Sequence, residues 1–296
     1  MGLAESWRPE DLYRIILDEL NKGKPVAVVT VVEKIGSGPR APGAKMIVTS
    51  EGGVYGTIGG GLFERDVIEN ALEALSEGKP RMLKYAFRRD NVTSDSIPTG
   101  LECGGSLRVF IDVVKPTPRL VIVGAGHVGK ALGDLANAMG LPVVVIDVDG
   151  KLASKERFPY AEEVVVARSH AEGLEKAGVR RTDLVVIVYG GVESDYEALI
   201  KALELKPRYV GLMASRRRVM LYLKKIREEG VEVDDSGVIV SAPVGIDIGG
   251  QTPSEIAVSI LAEIVAVLND RDLGELKRLS LWEKHRSKLK PVPQGL

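Results

Sequence analysis

Leu120-Val-Ile-Val-Gly124-Ala-Gly126-His-Val-Gly129 decides the fold. Four aliphatic residues read as a strand, and the glycines fall as G-x-G-x-x-G where that strand turns into a helix. Gly124 allows the tight turn, Gly126 lets the backbone approach a pyrophosphate, and Gly129 lets the helix pack against the strand. The helix amino terminus then offers N–H groups and a positive dipole end to an anion. The next apolar run closes on Val145-Ile146-Asp147, where a carboxylate can accept from a ribose 2′-hydroxyl. The context predicts a Rossmann-type fold. Two readings stay open for the site: a dinucleotide such as NAD, or glycines kept for packing alone. His127, inside the loop, reads mainly as a residue that fills space or caps the helix, beside the place a phosphate would take.

Working downstream, short apolar runs recur at Arg119–Val123, Pro142–Val148, Glu163–Ala167, Asp183–Tyr189, Arg208–Met213 and Val238–Ser241, with helix-like stretches between most of them. Such alternation predicts a doubly wound parallel sheet covered on both faces. Upstream the pattern differs. A helix is expected over Ser6–Lys22, a strand over Pro25–Glu33, a hairpin around Glu51-Gly52-Gly53, a helix over Leu62–Glu77, and strands at Arg81–Phe87 and Ser106–Val114. Lys115-Pro116-Thr117-Pro118 punctuates the change. The expected class is α/β: an α+β domain over 1–116, a Rossmann-type domain over 117–270, and a charged tail over 271–296.

Composition narrows the partners. The formal net charge of −1 gives no global field toward nucleic acid or anionic lipid, so any anion site must be local. No apolar run reaches the roughly 20 residues a bilayer span needs, and the amino terminus lacks a signal-peptide pattern, so a cytoplasmic protein is expected. A single cysteine, Cys103, excludes an internal disulfide and any multi-cysteine zinc site. His170 and His285 sit among charged residues and read as solvated.

Four further constellations carry chemistry. Gly59-Gly60-Gly61 before a helix, with Glu64 in its first turn, reads either as an anion cradle or as close backbone packing. Gly36-Ser-Gly-Pro39-Arg40-Ala-Pro42-Gly43 is a rigid loop with one guanidinium. Ser215-Arg216-Arg217-Arg218 opens a helix with charges that oppose its dipole, which fits either a phosphate contact or arginines paired with surface carboxylates. Pro243, Gly245 and Asp247 shape a loop at the carboxyl edge of the sheet, ahead of a capping box at Thr252-Pro253-Ser-Glu255. Cys103, in Glu102-Cys103-Gly104-Gly105, reads equally as a small buried hydrophobe and as an accessible thiol.

In order and spacing, Gly36–Lys45, Gly56–Glu64, Glu102–Phe110, Gly124–Leu132, Tyr209–Arg217 and Ala242–Ile260 closely resemble the XdhC/CoxI family, the accessory proteins of xanthine dehydrogenase and related molybdenum hydroxylases. The resemblance implies a chaperone that binds molybdenum cofactor (molybdopterin), shelters it during sulfuration and delivers it to a xanthine dehydrogenase-family enzyme. It further implies a cysteine desulfurase as sulfur source and a homodimer. It places pterin and metal in the first domain and the cleft between domains, with Cys103 as molybdenum ligand or sulfur relay. Two departures stand out. Leu62 occupies a position where many members have cysteine, and the segment Tyr189–Asp195 lacks a histidine common there, although Asp195 fits the pattern. The rival readings are an NAD-dependent oxidoreductase, disfavoured because no acid–base pair stands out, and a nucleotide-sensing interaction module.

Overall fold

A computed structural model describes residues 7–87, 97–98, 104–231 and 237–273. The chain forms two compact units, Met1–Pro116 and Thr117–Leu296.

In the first unit α1 (Pro9–Asn21) precedes β1 (Val26–Ile35), β2 (Lys45–Thr49) and β3 (Val54–Gly56). Then come α2 (Gly61–Glu77), β4 (Arg81–Ala86), the short β5 (Ile97–Pro98) and β6 (Ser106–Val114). The sheet order is β3-β2-β1-β6-β4-β5, antiparallel except for β4 with β5. Alternation along β1 and β6 sends Ala27, Val29, Val31, Val109 and Ile111 to one face, where Phe63, Val67, Ala71 and Ala74 of α2 cover them. Leu12 of α1 packs with Val26 and Ile47 in a smaller cluster.

The second unit holds β7 (Leu120–Val123), α3 (His127–Ala138), β8 (Val143–Asp147), β9 (Glu163–Val166), α4 (His170–Lys176) and β10 (Leu184–Ile187). It continues through α5 (Val192–Leu205), β11 (Tyr209–Leu212), α6 (Arg216–Glu228), β12 (Ile239–Ser241) and α7 (Pro253–Leu268). All pairings are parallel, in the order β12-β11-β10-β7-β8-β9. β7, β8, β10 and β11 are buried along their whole length, as strands covered on both faces must be. Leu132 of α3 and Ile260 and Ile264 of α7 pack on one face with Ile122 and Val145. Leu174, Leu199, Tyr222 and Ile226 of α4, α5 and α6 pack on the other with Val121 and Val123. Strand order reverses direction between β7 and β10, and the glycine loop leaves β7 at that switch point.

At the opposite edge of the sheet lies a buried ion pair. Arg119, just before β7, reaches Asp183, just before β10, at 2.6 Å, with side-chain exposures of 7% and 0%. Asp183 also accepts from the Arg180 N–H, and Arg119 donates to the Gly178 carbonyl, so the pair is well furnished with partners.

Candidate functional site

At the switch point the three glycines divide their labour. A Cβ on Gly124, where φ is +108°, would lie 2.6 Å from the Tyr189 nitrogen, and one on Gly129 would lie 1.9 Å from the Gly124 carbonyl oxygen. Both positions are closed by packing. A Cβ on Gly126 would meet nothing within 4 Å. Gly126 is also the N-cap of α3, which has no side-chain cap and no acidic residue in its first turn. An open backbone at a helix terminus with unmatched donors suits a phosphate. His127 stands exposed at the first helical position.

Asp147 behaves differently from its sequence expectation. Its carboxylate is 1% exposed, accepting the Ala125 N–H at 2.6 Å and the Asp149 N–H at 3.0 Å. It braces the glycine loop from within and is not presented to a ribose. Arg157, absent from the residues the sequence singles out, donates to the carbonyls of Ala125 and Leu152, both at 3.0 Å. Together with His127, Lys130 and Ser254 it lines an open cleft between α3 and the start of α7. A lone arginine far along the chain from the motif gives no signal in sequence.

His170 is corrected outright. It is 2% exposed, its ring centroid 4.4 Å from that of Tyr189, and its Nε2 is buried with no hydrogen-bond partner. Burial lowers its pKa, opposed in part by the charge of Asp147. The charged residues around it in sequence suggested solvent, but the α4 start turns this side chain inward.

The arginines at α6 separate. Arg218 donates to the Gly190 carbonyl at 3.0 Å and pairs with Asp195 at 3.4 Å. Asp195 is fully buried, and burial pushes its carboxyl up to about 6 despite the opposing pull of the Gly190 N–H and Arg218. Ser215 caps the helix by accepting from the Arg218 N–H. Arg216 and Arg217 are exposed, and Arg217 lines an open groove with Val192, Met220 and Lys224.

The loop before α7 is held by a carboxylate that the sequence motifs do not mark. Glu263, wholly buried on α7, accepts the Tyr209 hydroxyl at 2.5 Å and the Gly245 N–H at 2.9 Å. An acid amid Ile260, Leu261 and Ile264 was the available signal. Pro243 follows a cis peptide bond, Gly245 has φ +100°, and Asp247 is exposed at the loop's tip. Thr252 and Glu255 form the expected capping box.

In the first unit the glycine cradle is already filled. Glu64 Oε2 accepts from the N–H groups of Ile58, Gly59 and Gly60 at 3.0, 3.2 and 3.0 Å and from the Thr57 hydroxyl. The protein's own carboxylate therefore sits where one of the two sequence readings put an external anion. A Cβ on Gly59 would lie 2.5 Å from Pro39, and one on Gly105 would lie 2.2 Å from the Ser37 carbonyl oxygen. Three glycine loops thus converge, with Gly60 and Gly61 open beside them and Arg40 exposed. Cys103 lies outside the described residues, as does His285. Among the described residues, no three His, Cys, Asp or Glu side chains gather into a metal-binding group, and no helix is long and apolar enough to cross a membrane.

The pattern of the XdhC Rossmann domain matches residues 120–264, and that of the XdhC and CoxI family matches residues 19–86. The chain belongs to the XdhC and CoxI family. Its sequence is 40% identical over 262 residues to an uncharacterized protein, YqeB, of Escherichia coli, covering 88% of this chain and 47% of YqeB. It is 24% identical over 301 residues to the molybdenum cofactor insertion chaperone PaoD of the same organism, covering 86% of this chain and 87% of PaoD. It is also 28% identical over 157 residues to a probable xanthine dehydrogenase component from Bacillus subtilis, covering 53% and 45%. The chain thus spans about half the length of YqeB, and its match to the Bacillus protein is confined to about half of each. Within the XdhC and CoxI frame, Leu62, at a position often held by cysteine, is 68% exposed.

Proposed function

We propose that this chain binds molybdenum cofactor and delivers it to an enzyme of the xanthine dehydrogenase type. The observation that carries the reading is the match to PaoD, which runs along most of both chains. The fit of the residues adds to it. Gly126 and His127 would hold the cofactor's phosphate, because the backbone there is open and the α3 terminus lacks an acidic cap. Arg216 and Arg217 add exposed positive charge at another helix start along the same sheet edge. When bound, the cofactor would supply a pterin-held molybdenum as the centre at which sulfuration takes place.

The chain's own residues orient and shelter that group. Cys103 is the only side chain able to offer a soft thiolate, as metal ligand or sulfur acceptor from a cysteine desulfurase. Glu64 rigidifies the loop at 57–60 by taking its backbone N–H groups, and a Cβ on Gly60 or Gly61 would meet nothing within 4 Å. The reading includes a cytoplasmic homodimer, as the family resemblance implies. A nicotinamide-dependent oxidoreductase is the weaker alternative, since Asp147 is 1% exposed and turned into the glycine loop.

Reconstitution tests the proposal. An apo molybdoenzyme of the xanthine dehydrogenase type is incubated with cofactor-loaded protein or with the same amount of free cofactor. Faster and fuller activation by the loaded protein is the expected result, and equal activation by the two overturns it.

A further inference from the structure

Behind the glycine loop lies a nitrogen that nothing in the proposed function uses. His170 Nε2 is buried without a hydrogen-bond partner, on a ring that is 2% exposed. A desolvated, unpaired ring nitrogen is unfavourable, and native folds rarely keep one without a use. Its position gives the use. The His170 ring lies against Tyr189, 4.4 Å between centroids. Tyr189 lies just past β10, its side chain is 43% exposed, and its backbone stands within 2.7 Å of where a Gly124 Cβ would project. Tyr189, His170, Asp147 and the glycine loop therefore share the carboxyl edge at the switch between β7 and β10, where ligands of open parallel sheets bind.

We infer that this part of the sheet edge takes a planar nitrogen heterocycle, a purine or a pterin, stacked on Tyr189 and hydrogen-bonded to His170 Nε2. The inference rests on the reading that the second unit binds a phosphate-bearing ligand, and it names the subsite for that ligand's ring. Binding there requires the exposed Tyr189 side chain to turn away from His170, so that Nε2 is reached and the phenol face is offered to the ring. Burial keeps the imidazole neutral near pH 7, so it has one donor and one acceptor nitrogen. Purine and pterin edges present both kinds of partner. Asp147 is not available for this task, because its oxygens already hold the loop's N–H groups.

Calorimetric titration of the full chain with pyrophosphate, AMP and a pterin monophosphate tests the inference. Wild-type protein should bind at least one of the ring-bearing probes about tenfold more tightly than pyrophosphate, the scale expected of one stacking contact. The tighter of the two identifies the ring. Tyr189→Ala and His170→Phe should each forfeit most of that margin without changing pyrophosphate binding, whereas Tyr189→Phe and His170→Gln should keep much of it. Melting curves establish that each variant folds. Pyrophosphate binding with no ring preference overturns the inference alone. Binding of none of the probes overturns it together with the phosphate reading, and wild-type ring affinity in both Tyr189→Ala and His170→Phe shows that the pair only packs.

Discussion

Gly126 and Gly129 are three residues apart and do opposite things. Gly129→Ala forces a Cβ to within 1.9 Å of a backbone carbonyl that cannot swing away, so it should destabilise the protein by about 2–3 kcal/mol. Gly126→Ala puts a Cβ into open space and should cost about 1 kcal/mol or less, as a weaker N-cap. Thermal melts of the two variants check the contrast; equal losses would contradict it. The sequence motif named both glycines, yet only the folded packing separates a glycine that packs from one that leaves room. Asp147 and Glu64 carry the same lesson. Each was legible as an acid beside a glycine turn, and each proves to spend its oxygens on that turn's own N–H groups. Spacing locates such a carboxylate but does not say whether backbone donors or a ligand will claim it. Arg157 was hidden because a single charge in a loop has no motif around it, and Glu263 was marked only by the apolar residues beside it.

At the scale of elements, Asp195 ties the β10–α5 loop to α6 through Gly190 and Arg218. Its folded-state value of about 6 lies above the usual 3.8, so between those pH values the folded protein holds a proton that the unfolded chain has released. The group favours folding most below pH 4, and that contribution is lost as the pH rises through 6. Asp195→Asn should therefore gain on the wild type, by something on the order of 2 kcal/mol, between pH 4 and pH 7. Urea titrations across that range measure it, and a pH-independent difference between the two proteins would sink the idea. At the opposite edge of the sheet, Asp183→Ala would strand the buried Arg119 guanidinium and should cost about 3–5 kcal/mol. A loss under about 1 kcal/mol would show that water reaches the arginine. The central strands of this unit, β7, β8, β10 and β11, were readable from apolar runs that burial on both faces demands, and their ends moved by at most two residues. β5 was not readable, since two residues hold no period.

For the whole molecule, the family assignment and the two kinds of unit were visible in sequence, because six glycine-marked segments keep their order along the chain. The central claim is that the chain binds molybdenum cofactor and that Gly126 and Cys103 each contribute to its retention. Equilibrium dialysis against molybdenum cofactor tests it most directly, read out as bound molybdenum and bound pterin per chain. The account predicts about one of each on the wild type, molybdenum lost but pterin kept in Cys103→Ala with an unchanged melting temperature, and both sharply reduced in Gly126→Val. Pterin and molybdenum at the level of an unrelated Rossmann protein, or full retention of both in the two variants, would contradict it.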